Sequence, residues 1–252
     1  MRFFLLLVVL FNFLQADDLG VNEKLGTHVP LELTFTNEQS KSVTLKELMD
    51  SKPTLLTLNY FKCAGICTPQ LTEMARTLSR LHLAENIDYK VVTVDFAEDE
   101  TIKLANAKKA TMIKSMERAY VPDAWHFVIG ENNSSGQLAQ AVGFKYKKVF
   151  NKNGRTMGYL HGATIIVLSP TGKIVRYLKG VEQLPSDVEM AIREAAEEKV
   201  STSIPKDSPF CFTEKPTGDL LVNKVTKGWM VFMLLVVIGL LIYLLKSKKR
   251  EA

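Results

Sequence analysis

Apolar and polar positions along this chain change period several times, and each change marks an element. "PTLLTLNYF" (53–61) is a short apolar run opened by Pro53 and followed at once by "KCAGIC"; such a run predicts a buried strand. From Thr68 onward Leu71, Met74, Ala75, Leu78 and Leu81 recur at helical spacing, so a helix starts at the cysteines. "DYKVVTVDF" (88–96) predicts a second strand. "DETIKLANAKKATMIKSM" (99–116) predicts a helix, acidic at its start and lysine-bearing later, as the helix dipole prefers. "AWHFVIG" (124–130) reads as a third strand, and "SSGQLAQAVG" as a short helix closed by Gly143. "ATIIVLSPTGKIVRYL" (163–178) predicts two strands joined at Pro170-Thr171-Gly172. "PSDVEMAIREAAEEKV" (185–200) predicts a helix with Ser186 as its cap. Ahead of all these, "VPLELTFTNEQSKSVTLKELM" reads as a hairpin around residues 37–40 and a brief helix from Leu45.

That order gives one α/β domain over residues 17–200, a central mixed sheet with helices on both faces. It is the order of a thioredoxin-like domain. From Ser201 the chain turns irregular and Pro-containing, a linker over 201–227.

The two ends follow other rules. "MRFFLLLVVLFNFLQA" has Arg2, an apolar stretch from Phe3 to Leu14, and Ala16, the pattern of a secretory signal over residues 1–16. "GWMVFMLLVVIGLLIYLL" (228–245) is eighteen residues without a charge; as a helix it spans about 27 Å against a hydrocarbon core of ~30 Å. Trp229 and Tyr243 stand near its ends, and the tail 246–252 brings Lys246, Lys248, Lys249 and Arg250. The positive-inside rule keeps that tail in the cytoplasm and puts residues 17–227 outside. In a bacterium this predicts a protein held in the inner membrane by a C-terminal transmembrane helix, with its domain in the periplasm. The formal charge of +5 changes meaning accordingly. The tail supplies three of those charges net and Arg2 one, so the exported part is nearly neutral. No basic stripe suited to nucleic acid is present.

Candidate chemistry centres on Cys63 and Cys67, two of three cysteines, in a compartment where thiols oxidise unless metallated or kept reduced. If the turn is helical, the i, i+4 spacing puts both sulfurs on one face. A helix N-terminus and Lys62 favour thiolate there. Three uses stay open: a structural disulfide, a dithiol–disulfide redox pair, or two ligands of a metal. A metal needs a third donor. Of the four histidines, His28 lies in the N-terminal extension, His82 near the far end of the cysteine helix, and His126 inside an apolar strand. His161 precedes the strand that opens the closing hairpin, in "YLHGATIIVL". In thioredoxin-like folds that place lies against the active-site sulfurs. Two thiolates and an imidazole suit Cu(I), or Cu(II) with an added oxygen ligand. Zinc in a structural site wants a fourth protein ligand, which Cys211 could supply.

"NYFKCAGICTPQL", "VVTVDFAEDE" and "HGATIIVLSPTGKIV" together resemble the Sco/SenC family of copper chaperones, over about Pro30 to Val200. The resemblance implies a copper site of Cys63, Cys67 and His161. It also implies delivery to the CuA centre of a respiratory enzyme, cytochrome c oxidase or nitrous oxide reductase, with a thiol–disulfide reductant as a further partner. Asp95 matches an acidic position near the family's metal site. Two features depart from the pattern: anchoring at the C-terminus rather than the N-terminus, and Phe96 where proline is common. The alternative is an enzyme, a thiol–disulfide oxidoreductase or thiol peroxidase using Cys63 and Cys67.

Overall fold

The computed structural model describes residues 20–63 and 65–203. The expected leader, the anchoring span, the basic tail, nearly all of the linker, and Cys211 lie outside the described residues. Among those described, no helix is long and apolar enough to cross a membrane.

Seven strands build the main sheet. In chain order the first elements are β1 (Gly20–Val21), β2 (Thr34–Thr36), β3 (Ser42–Thr44), helix α1 (Leu45–Met49) and β4 (Thr54–Asn59). Then come α2 (Cys67–Leu78), β5 (Lys90–Asp95), α3 (Ile102–Lys114), β6 (Trp125–Gly130) and α4 (Ser134–Ala141). The last are β7 (Phe144–Phe150), β8 (Thr156–His161), β9 (Thr164–Leu168), β10 (Ile174–Lys179) and α5 (Pro185–Ala196). The main sheet runs β10-β9-β4-β5-β6-β2-β3, and β1-β7-β8 form a second, smaller sheet. β4, β5 and β6 are parallel, while β9 and β10 pair antiparallel. This is the mixed α/β sheet expected from the element order.

Period-2 alternation divides the core. Leu55, Val91, Phe127, Ile165 and Val167 face a cluster that includes Leu71, Met74 and Leu78 of α2 and Val188 and Ile192 of α5. Their neighbours Leu56, Val92, Val128, Ile166 and Leu168 face Leu45 and Met49 of α1 and Leu138 of α4. Every residue of β4 and of β5 is buried, as befits strands covered on both faces. α1 starts on a capping box, Thr44 with Glu47. Gly143 turns the chain from α4 into β7 at φ +67°, where a Cβ would stand 1.8 Å from the Asn22 carbonyl oxygen. Only glycine fits there.

Two sequence expectations need correction. Ser186 is not the cap of the last helix: Leu184 holds that place and Pro185 fills the first helical position, where its missing N–H costs nothing. Asp99 and Glu100 are not the acidic first turn of α3, whose N-cap position is Thr101, without a side-chain capping bond, and whose first turn has no acidic residue. Glu100 is directed elsewhere, to the cysteine loop.

Candidate metal centre

The site forms where β4 gives way to α2. Cys67 is the first residue of that helix, whereas Cys63 lies in the turn before it. The two sulfurs are therefore not brought together by one helical face; the loop does it. Hydrogen bonds tie that loop down at several points. The Cys63 N–H donates to the Tyr60 carbonyl (3.2 Å), and the Thr68 hydroxyl donates to the Cys63 carbonyl (2.5 Å). The Glu100 carboxyl, itself buried, accepts the N–H of Phe61 and that of Lys62, the latter at 2.8 Å. Beneath the loop, Asn59 donates to Gln70 and Gln70 to the Thr164 carbonyl, linking β4, α2 and β9.

His161 arrives from the other side, as the last residue of β8, paired with Tyr146 of β7. Its Nε2 lies 2.9 Å from Cys67 Sγ, and its Nδ1 lies 3.0 Å from the Gly162 carbonyl. A carbonyl only accepts, so Nδ1 holds the proton and Nε2 presents a lone pair to the sulfurs. Phe96, Phe144 and Tyr60 surround the ring at centroid distances of 5.2, 5.8 and 6.0 Å. Phe96 also stacks on Tyr146 at 4.5 Å. The residue that departs from the family pattern thus forms part of the wall holding the imidazole. Burial lowers the His161 pKa against the opposing Gly162 bond, which keeps the ring neutral and ready to ligate at neutral pH.

The two thiols differ. Burial raises Cys63, but hydrogen bonds from the Tyr60 hydroxyl, from Cys67 and from the Gly65 N–H outweigh it, leaving the thiol easier to ionise than usual. Cys67 is pushed well up, by burial first and by the neighbouring Cys63 sulfur. The helix-terminus dipole expected to favour both thiolates is outweighed at Cys67. Tyr60, raised to about 12 by burial and by Cys63, stays a hydroxyl donor. Lys62 adds little, since its exposed ammonium sits near Asp99.

Cys63 Sγ, Cys67 Sγ and a His161 ring nitrogen all lie within 4.8 Å of one another. Three donors bonded to one metal at roughly 2.0–2.3 Å stand about 3.6–3.9 Å from one another, so the donor set closes on one soft ion with a movement of about 1 Å. Both cysteines are free thiols, and binding would release their protons.

The other histidines are placed apart from this group. His28 is exposed at a bridge to Lys173, His82 meets Glu189, and His126 meets Glu38. Asp95 ends β5, pairs in register with Asn59, and accepts the Ala97 N–H at 2.8 Å. Burial, with the adjacent Glu100 charge, raises its carboxyl to about 9. The folded protein therefore keeps a proton that the unfolded chain releases near pH 4, and stability from this group falls as pH rises from about 4 toward about 9. Asp95→Asn removes that loss, so the variant is expected to be more stable than wild type at pH 8 by on the order of 2–4 kcal/mol. Urea unfolding at pH 5 and pH 8 measures it; an unchanged pH slope in the variant would refute the assignment.

Sequence reading missed Glu100, Tyr60 and the aromatic wall. Glu100 hides in the acidic run "EDE", which reads as solvated. The wall draws on four separate segments and has no local signature.

A sheet of this topology with two thiols and an imidazole gathered at a strand-to-helix turn defines a class, a thioredoxin-like domain with a soft-metal donor set. The SCO1/SenC family model matches residues 22–197, and the chain belongs to that family. A SCO1 protein homolog from Bacillus subtilis (strain 168) is 25% identical over 154 residues, covering 61% of this chain and 75% of that protein. A crystal structure from Aquifex aeolicus VF5 superposes with a TM-score of 0.60 at 22% identity, covering 69% of this chain and 95% of that one. Arabidopsis thaliana ScoI, crystallised with copper bound, superposes with a TM-score of 0.54 at 16% identity, covering 69% of this chain and 99% of that one.

Proposed function

We propose that the protein binds one copper ion through Cys63, Cys67 and His161 and delivers it to the CuA centre of a respiratory enzyme, cytochrome c oxidase or nitrous oxide reductase. The observation that carries this reading is the donor triad, three ligand atoms within 4.8 Å of one another, with Nδ1 of the imidazole already committed to Gly162. A dithiol redox site has no need of a histidine so fixed. Two thiolates and one imidazole suit Cu(I), and the same set with an oxygen ligand suits Cu(II). Copper in the Arabidopsis relative supports the choice of metal. In this reading the domain is exported and held at the membrane by residues 228–245. Asp95 acts at one remove, through Glu100, on the loop that bears Cys63.

A second reading has one observation in its favour: the split between an easily ionised Cys63 and a reluctant Cys67 is that of a nucleophilic and a resolving thiol. The two readings separate in cells. A strain lacking the gene is expected to lack CuA activity, with partial rescue by added copper. Loss of peroxide resistance with fully metallated CuA enzymes would instead establish a thiol enzyme.

A further inference from the structure

The hairpin that delivers His161 carries a second feature at its exposed positions. Residues 144–161 include Lys145, Lys147, Lys148, Lys152 and Arg155 and no acidic residue. Lys148 is faced by Glu98 at 2.9 Å. Lys152 and Arg155, at the turn between β7 and β8, are exposed and form no ion pair among the described residues. Beside them three large apolar side chains stand in solvent: Phe150 is 58% exposed, Met157 69% and Leu160 51%. The register shifts between Val149 and Phe150, leaving Met157 as the extra residue of a bulge. Leu160 pairs with Lys147 and immediately precedes His161. At ~3.3 Å per residue the apolar positions reach from the imidazole to about 13 Å away along β8. Ile66, between the two cysteines, is also exposed.

Alternation puts Leu160 with Lys147 on one side of the hairpin and Phe150 on the Tyr146 side near the turn, and on neither side does the exposed group contribute to the packing of the core. Apolar groups rimmed by one sign of charge are the composition of a recognition surface. We propose that Phe150, Lys152, Arg155, Met157 and Leu160 form the docking face for an acidic protein partner that takes copper from the triad, an inference that rests on the copper-delivery reading. The cations fix the sign of the partner's surface. The position of Leu160 beside a ligand fixes its kind: whatever lies there must offer soft donors to an ion held by Cys63, Cys67 and His161. A lipid surface has none.

The test uses the full-length protein in mild detergent, loaded with Cu(I), and the apo soluble CuA domain of the same cells' oxidase as acceptor. Transfer is followed by stopped flow across a range of salt. Lys152→Glu with Arg155→Glu is expected to slow transfer about tenfold at low salt and to flatten its salt dependence. Phe150→Ser with Met157→Ser is expected to raise the half-saturating acceptor concentration about tenfold. Both variants should hold copper within about twofold of wild type. Unchanged transfer in both variants overturns the docking face and leaves copper binding intact. So does a defect confined to binding of anionic phosphatidylglycerol vesicles, or to self-association in sedimentation. Failure of the wild-type protein to bind copper overturns the delivery reading, and this proposal with it.

Discussion

His161→Ala is expected to weaken copper binding by at least about tenfold and to abolish the thiolate-to-Cu(II) charge-transfer absorption, while the cysteine pair remains able to form its disulfide. A set of two thiolates and one imidazole cannot keep its shell when the imidazole goes, because no other donor group of this kind is present among the described residues. The change is local. Phe96, Phe144 and Tyr60 pack on the imidazole but are held by one another and by the core, so the hole left behind does not release the loop. What Cys67 loses is one acceptor at 2.9 Å. A hydrogen bond of about 1 kcal/mol corresponds to about 20 mV for a two-electron couple, so the dithiol potential moves little. Competition titration with a Cu(I) chelator and redox titration in glutathione buffers measure the two halves. A variant with wild-type copper affinity and spectrum would remove His161 from the site. A variant with normal copper affinity but a disulfide shifted by 100 mV or more, roughly 5 kcal/mol, would make the histidine a redox residue.

Glu100→Ala is expected to destabilise the domain by about 2–5 kcal/mol and to weaken copper binding. Its carboxyl is the acceptor for two successive N–H groups, Phe61 and Lys62, immediately before Cys63. Alanine leaves the buried Phe61 N–H without a partner, at about 1–3 kcal/mol, and costs the part-buried Lys62 N–H a smaller amount. The loop then loses its register against β5 while Cys67, fixed in α2, stays in place, so the two sulfurs no longer present to one ion. Removal of the charge beside Asp95 offsets part of the cost. Glu100→Gln, which keeps one acceptor oxygen, should fall between the two proteins. Urea unfolding and Cu(I) titration on the same samples test this; a loss below about 0.5 kcal/mol, the range of an ordinary surface change, would mean the carboxyl does not hold the loop.

Much of this was legible in the sequence for a physical reason. β4 and β5 are covered on both faces and their cores, residues 55–58 and 91–94, are largely apolar, and such runs are visible without knowledge of neighbours. The cysteine turn and His161 were visible because each adjoins such a run. The hairpin of β7 and β8 has no such signature: its adjacent lysines at 147 and 148 and the bulge at Met157 break the alternation that marks a strand. His161 stands just before β9 as expected, and it also ends β8, where pairing with Tyr146 fixes its position. Glu100 and its acidic neighbours resemble the start of a helix, because charge patterning cannot distinguish a carboxylate in water from one turned inward to satisfy two amides. Ser186 is not the cap because Pro185 before it, with its backbone already fixed near the helical φ, takes the first helical position and moves the start of the helix one residue ahead of the serine.

The coordination of copper by this chain is the central claim, and X-ray absorption at the copper edge of the Cu(I)-loaded full-length protein measures it directly. The expected spectrum is one copper bound by two sulfurs and one imidazole nitrogen, and it should be unchanged by Cys211→Ser. A shell of sulfur alone, a third sulfur that disappears in Cys211→Ser, or no stoichiometric copper would contradict the site built from Cys63, Cys67 and His161.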